Sequence, residues 1–143
     1  RWKDVTGVQT CALPISLALQ GVALVLEMLP IGAVMVFATS STERTIEVYS
    51  YFSMLPVGYA NFAPLLTGIL TILIILLGVI ALFRFDKAAS IRRTIFVCSI
   101  ISLLFSIVPV FLFGTVGMTA ASYAVSCAIL LSNCLQAVAN RQE

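Results

Sequence analysis

The sequence predicts an all-α, integral membrane protein in which four transmembrane helices form an antiparallel bundle. Hydrophobic residues make up 61% of the chain and charged residues only 10%, whereas soluble domains carry about 25% charged residues. A chain of 143 residues is also too short to bury so much apolar surface in its own core. Finally, apolar runs recur along the chain, each close to the ~20 residues that cross a bilayer as a helix.

Four runs are expected to span the membrane, at about 17–38, 62–83, 94–113 and 119–139. Within the hydrocarbon layer, a backbone satisfies its hydrogen bonds either as a helix or in a closed barrel. Barrel strands would alternate apolar and polar residues, and these runs do not. The last run contains Asn133 and few large apolar residues, so we expect it to insert as the second arm of a hairpin with the third.

The first residues of the chain stand apart from the rest. The string VTGVQTCALPI at 5–15 resembles, residue for residue, the translation of a common short-read sequencing adapter. We therefore expect 1–15 to be non-native and 16–143 to be the membrane domain, with the true N-terminus missing. The alternative is the start of a signal peptide, because Arg1 and Lys3 precede an apolar stretch, although polar residues dilute that stretch.

The basic residues predict the orientation of the spans. The link between the second and third spans, 84–93, carries Arg84, Lys87, Arg92 and Arg93. Because cytoplasmic loops of membrane proteins are enriched in Lys and Arg, we expect this link and the C-terminus to be cytoplasmic. The loop 39–61 is then outside the plasma membrane. A specific partner site in the basic link is an alternative to this role as a topology signal.

Glu27 is the one ionisable residue well inside a predicted span, and Gln20 lies on the same helical face seven residues earlier. An intramembrane carboxylate by default marks a proton or ion path and faces protein rather than lipid. Pro30 adds to this polar site, since it lacks a backbone donor. Two structural interpretations remain open: a protonated Glu27 that bonds two helices, or a helix that begins near Val22 and places Glu27 at the headgroups.

Small and polar residues recur at helical spacing on the last three spans. The predicted helix-packing faces consist of Ser99, Ser102 and Ser106 on the third span and Ser122, Ser126 and Asn133 on the fourth. Thr67, Thr71 and Gly78 form a similar stripe on the second span. Helices in membranes meet at such faces, because small residues allow close approach. A substrate pathway would show the same pattern, but packing is favoured.

The outer loop ends in a cluster of aromatic residues: Tyr49, Tyr51, Phe52, Tyr59 and Phe62. Aromatic residues commonly lie at the headgroup level, and a contact surface for a ligand or partner is the alternative. The string YSYFSMLPVGYANFAP at 49–64, with LPIG at 29–32 before it, resembles small four-span hypothetical membrane proteins of Gram-positive gut bacteria. The resemblance implies a bacterial plasma membrane and transfers no functional residues.

The sequence offers no basis for catalysis. It has no His and a net charge of only +2, and we find no Walker loop, GxSxG, HExxH or carboxylate pair. We therefore expect no enzyme activity, cofactor, metal site or nucleic-acid partner. The leading hypothesis is a membrane protein that acts through helix-face or outer-loop contacts, as an accessory subunit or a homo-oligomer in the lipid bilayer. The alternative is a small proton- or ion-coupled carrier that uses Glu27.

Overall fold

The computed structural model describes residues 7–38, 44–54, 62–83 and 88–140. In these residues the elements are α1 (Gly7–Met28), β1 (Ala33–Ala38), β2 (Arg44–Tyr49), α2 (Phe62–Phe83), α3 (Ala88–Phe113) and α4 (Ala120–Asn140). The four helices pack antiparallel, with α1 against α4 and α2 against α3. The described chain is therefore mostly helical.

The link between α3 and α4 is short. Gly114 ends α3 with a φ of 67°, a left-handed conformation that glycine adopts without a steric penalty. One turn of 3-10 helix, Gly114–Gly117, then leads into α4. This link places α3 and α4 side by side as the predicted helical hairpin.

Three predicted spans correspond to helices of the structure. The run 62–83 forms the helix α2, whose bounds are the same. The span 94–113 lies within α3, which begins six residues earlier and ends at the same residue. The span 119–139 is displaced by one residue from α4. These boundaries agree because a long, nearly continuous apolar run favours one helix over its whole length, even though α3 contains Pro109.

The predicted first span, 17–38, is wrong in its second part. Helix α1 ends at Met28, and the chain then forms an antiparallel two-stranded sheet in which Ala33 pairs with Tyr49 and Ala38 with Arg44. Pro30 disfavours the helical conformation at the residue before it, and Val34 and Val36 favour a strand. The all-α fold class is corrected accordingly, and the predicted loop 39–61 contains β2.

Helix α1 begins at Gly7, inside the segment 1–15 that resembles an adapter. Ala12 of that segment is buried, and Pro14 lies within the helix. The division of the chain into a non-native segment 1–15 and a membrane domain 16–143 remains a prediction.

Apolar side chains face outward from the bundle and polar side chains face inward, the reverse of the distribution in a soluble protein. In the described part of the chain, three helical segments are long and apolar enough to cross a membrane: Phe62–Phe83, Ser90–Gly117 and Ala120–Asn140. Ala12–Met28 is a shorter apolar helix. Their outward faces expose large apolar side chains, such as Phe83 at 80% and Phe111 at 85%. Water does not favour such a surface, and the polar side chains lie between the helices instead.

The bundle has two ends, which are named here for later use. The basic end is where α1 and α3 begin and α2 and α4 end, and Arg92 and Arg93 of α3 lie there. The hairpin end is where α1 and α3 end, and the strands β1 and β2 lie there. An isolated backbone bridge between Ala33 and Met118 joins β1 to the link between α3 and α4.

Candidate functional site in the bundle core

The core of the bundle is unusually polar. Among the described residues, the buried polar side chains are Ser16, Gln20, Glu27, Thr67, Thr71, Ser99, Ser102, Ser106, Ser122, Ser132, Asn133 and Gln136. Their hydrogen bonds divide most of them into two groups along the bundle axis. We call the group of Glu27, Thr71 and Thr67 the Glu27 layer. The amide layer consists of Ser16, Gln20, Ser99, Ser132, Asn133 and Gln136. About 10 Å of helix rise separates Gln20 from Glu27.

Glu27 lies in the last turn of α1 with its side chain fully buried, at 0% exposure. Its Oε1 atom lies 2.9 Å from Thr71 Oγ1 of α2. Its Oε2 atom is buried and has no hydrogen-bond partner among the described residues. A buried carboxylate that lacks donors is costly, and a proton or a cation bound at this carboxyl would offset that cost.

The Thr71 hydroxyl contacts two groups with a single proton. Besides Glu27 Oε1, its Oγ1 atom lies 3.0 Å from the carbonyl oxygen of Thr67. A hydroxyl has one proton to donate and two lone pairs that accept. With an ionised Glu27, Thr71 donates to the carboxylate. With a protonated Glu27, the carboxyl can donate to Thr71, which then donates to the Thr67 carbonyl. The site therefore accommodates both states by rotation of one hydroxyl.

Tyr51 closes the Glu27 layer at the hairpin end. Its backbone N–H donates to the Glu27 carbonyl oxygen at 3.0 Å, and its side chain is buried at 3% exposure. Burial raises the pKa of the Tyr51 phenol to about 12, while hydrogen bonding to Ser122 and Ser106 lowers it and the charge of Glu27 raises it. The hydroxyl therefore points into the core, beside these serines.

Short polar contacts join the hairpin and the helices around Tyr51. Ser106 of α3 and Ser126 of α4 bond through their hydroxyls at 2.6 Å. Ser122 donates to the Gly32 carbonyl oxygen, and Thr119 donates to the Ile31 carbonyl oxygen at 2.7 Å. These bonds satisfy the carbonyl groups of Ile31 and Gly32, which follow the end of α1 and have no helical donor.

The amide layer joins α1, α3 and α4. Gln20 Nε2 donates to the Ser99 and Ser132 hydroxyls, each at 3.2 Å. Gln136 Nε2 lies 3.2 Å from the same Ser132 hydroxyl and 2.7 Å from that of Ser16. Asn133 Nδ2 donates to the Ser99 carbonyl oxygen at 3.2 Å. The side chains of three helices thus meet without any charged group among these members.

The predicted polar site of Gln20 and Glu27 is divided between the two layers. Both residues lie on the buried face of α1, but Gln20 bonds to α3 and α4 while Glu27 bonds to α2. The predicted packing faces of α3 and α4 lie inside the bundle, since five of their six members are buried and Ser126 is half-buried. The stripe of α2 supplies Thr71 to the site.

The predicted outer-loop contact surface is dispersed. Tyr51 is buried and Phe52 half-buried, whereas Tyr49 is half-exposed and its hydroxyl donates to Glu47. Phe62 is 63% exposed at the start of α2. Tyr59 lies outside the described residues. Tyr51 and Phe52 therefore serve to pack the hairpin on the bundle in this structure.

Sequence reasoning missed Ser132 and Gln136. Both residues are buried on α4 and bond to the predicted residue Gln20 or to its partner. A signal was present, because Gln136 follows Asn133 by three residues and Ser132 by four, so all three lie on one side of α4. The sequence does not indicate which helix this side of α4 packs against. In the structure it packs against α1.

Comparison with known proteins gives no family. No protein-family model, no curated protein and no solved structure matches this chain. Among the described residues, no group of three or more His, Cys, Asp or Glu side chains is placed to hold a metal ion. The resemblance to small bacterial four-span proteins therefore remains a hypothesis, and the polar core is the feature of the described residues that bears on function.

Proposed function

We propose that this chain is a four-span membrane protein of the bacterial plasma membrane that acts as a small proton- or ion-coupled carrier with Glu27 as its coupling residue. The observation that carries the proposal is the position of Glu27. Its side chain is fully buried, and one of its oxygens has no partner among the described residues. In a membrane, such a carboxyl needs a bound proton or cation to offset the cost of burial.

The inside-out distribution of side chains supports a bilayer environment. Helices α2, α3 and α4 have the length and composition of spans, and α1 packs between α4 and α2 as the fourth member. Its described apolar part, Ala12–Met28, covers about 25 Å, close to the ~30 Å hydrocarbon layer. In the proposed orientation the basic end is cytoplasmic, in accord with the basic link.

The contacts of Thr71 support exchange rather than a fixed structural role. The Thr71 hydroxyl can hydrogen-bond to Glu27 in both its ionised and its protonated state. Binding and release of a proton therefore need no rearrangement of the helix backbone. A purely structural carboxyl would instead be satisfied at both oxygens, as buried polar groups usually are. The unpartnered Oε2 atom is what distinguishes Glu27 from a residue that only joins two helices.

Proton flux in proteoliposomes tests the proposal. The full chain is reconstituted with an entrapped pH-sensitive dye, and a potassium diffusion potential drives uptake. We expect Glu27→Gln to reduce the flux to the level of empty vesicles, because Gln can donate to Thr71 but cannot carry a proton. Glu47→Gln makes the same change at an exposed position on β2 and should retain the flux. Equal flux in both variants would refute the proposal.

A second candidate function is an accessory subunit or homo-oligomer. It is favoured by the apolar side chains that β2 exposes, Ile46 at 52% and Val48 at 43%, since a strand edge can pair with another chain. The packing faces of α3 and α4 do not support it, because they are occupied within the bundle. If Ile46→Lys abolished crosslinking to a membrane partner or to a second copy while Glu27→Gln left flux unchanged, this function would replace the carrier.

A further inference from the structure

Three side-chain oxygens of the amide layer lack a hydrogen-bond donor among the described residues. They are Gln20 Oε1, Asn133 Oδ1 and Gln136 Oε1. Their residues are more than nine-tenths buried, at 0%, 7% and 7% exposure. Leaving a buried acceptor unpaired is unfavourable, so three in one connected cluster point to a ligand that supplies donors or positive charge.

The orientation of Asn133 follows from its neighbour. Its Nδ2 atom contacts the main-chain carbonyl oxygen of Ser99 at 3.2 Å, and a carbonyl can only accept. The amide nitrogen must therefore face Ser99. The Oδ1 atom of Asn133 consequently faces away from Ser99, and it has no donor among the described residues.

The two glutamines are constrained by Ser132. The Ser132 hydroxyl lies within hydrogen-bond distance of Gln20, Gln136 and Ser16, but it has one proton. It can donate in one of these contacts at most, so at least one of the two glutamines must donate its amide N–H to Ser132. That glutamine then directs its Oε1 atom away from Ser132, towards no described donor. At least two of the three unpaired oxygens are thus fixed by the hydrogen-bond network.

We propose that the amide layer is a binding site for a small monovalent cation, separate from Glu27. Amide oxygens are hard ligands of the kind that coordinate alkali cations in channels. The members of the layer are all uncharged, so a divalent cation, which usually requires carboxylate ligands, would not be compensated. The uncharged ligands therefore favour a monovalent cation.

Two charged residues of the described chain lie on opposite sides of the layer. Arg92 precedes Ser99 by seven residues on α3, about 10 Å along the helix, and it lines a crevice at the basic end together with Gln136. Glu27 lies a similar distance towards the hairpin end. Between the layers, the buried Ser102 hydroxyl has no described partner. Arg92 and an ionised Glu27, at similar distances on opposite sides, contribute electrostatic potentials of opposite sign at the layer, so together they add no net attraction for a divalent ion.

Cation binding is tested on the full chain by thermal unfolding in detergent, followed by circular dichroism. Lithium, sodium, potassium and ammonium chlorides are compared with choline chloride at constant ionic strength. A ligand that binds only the folded state raises Tm by mass action, and we expect a saturable rise of about 3 to 5 °C for at least one cation. Identical Tm values in all salts, as for a layer filled by water alone, would overturn the proposal.

Three variants locate the site. Asn133→Leu should abolish the cation-dependent shift, whereas Asn140→Leu, the same change two turns further along α4, should retain it. If Asn133→Leu does not fold, Gln136→Met removes another proposed ligand with little change in shape. Retention of the shift in the folded variant of the layer would contradict the proposal.

Binding of the cation to the amide layer does not depend on the proposed carrier function of Glu27. Glu27→Gln should therefore keep the cation-dependent shift even where it abolishes proton flux. If Glu27→Gln lost the cation-dependent rise in Tm and Asn133→Leu kept it, the cation would be bound at Glu27. That result would refute the site in the amide layer but would leave the carrier proposal standing. Conversely, normal flux in Glu27→Gln with an intact shift would refute only the carrier.

Discussion

The ring of Tyr51 lies directly over Gly32, where the chain turns from α1 into β1. A Cβ atom at Gly32 would stand 2.7 Å from Cε2 and 2.8 Å from Cδ2 of that ring. The ring cannot easily withdraw, because the Tyr51 backbone is bonded to Glu27 and its side chain is buried. Glycine at 32 therefore allows the hairpin to close over the Glu27 layer.

Gly32→Ala should lower the free energy of unfolding by about 1–3 kcal/mol, the usual cost of overpacking a core. Gly21→Ala is the matched control, since nothing lies within 4 Å of a Cβ at Gly21. In the interior of α1 that change should be neutral or stabilising, because alanine favours helix over glycine. Denaturation in mixed micelles measures both, and an equal effect of the two variants would contradict the close packing.

Ser106 and Ser126 should be energetically coupled. Ser126 also donates to the Ser122 carbonyl oxygen at 3.0 Å, so Ser106 is the donor in the contact between α3 and α4. A double-mutant cycle with Ser106→Ala and Ser126→Ala should give a coupling of about 0.6 kcal/mol, typical of such bonds in membrane proteins. Additive effects of the two substitutions would show that the serines act by their small size alone.

Tyr51 should make stability depend on alkaline pH. The pKa of its phenol is raised from the usual 10.0 to about 12, so the phenol ionises more readily in the unfolded chain. The stabilisation from the neutral phenol is fully present below pH 10 and is lost as pH rises towards 12, by on the order of 2 kcal/mol. Tm measured across this range should fall less steeply in Tyr51→Phe than in the wild type, and parallel profiles would contradict the burial of the hydroxyl.

Impermeant maleimide labelling in intact cells should report the proposed orientation. In a cysteine-free background, Thr45→Cys on β2 and Val116→Cys in the link between α3 and α4 should react from outside. Ser90→Cys at the start of α3 should react only after the cells are permeabilised. The reverse pattern would invert the orientation, and labelling of positions 45 and 90 from one side would mean that α2 does not cross the bilayer.

The conflict between prediction and structure is concentrated at Pro30. Its presence was known from the sequence, but a kinked helix and a helix end are both compatible with proline. Whether the helix kinks or ends at Pro30 depends on partners distant in sequence. Residues 44–49 pair with β1, and the Thr119 hydroxyl donates to the Ile31 carbonyl oxygen. Hairpin pairing of this kind is set by contacts that local preference does not encode.

The sequence by itself determined the three helices α2, α3 and α4 and the apolar outer surface of the chain, because apolar composition acts locally and sums over each run. It also indicated Glu27, Gln20 and the serine faces as polar residues in apolar surroundings. Only the tertiary structure decided that Thr71 faces Glu27, that Ser132 and Gln136 reach Gln20, and that Tyr51 turns inward. Each of these contacts depends on the relative rotation of neighbouring helices, which follows from packing of the whole bundle.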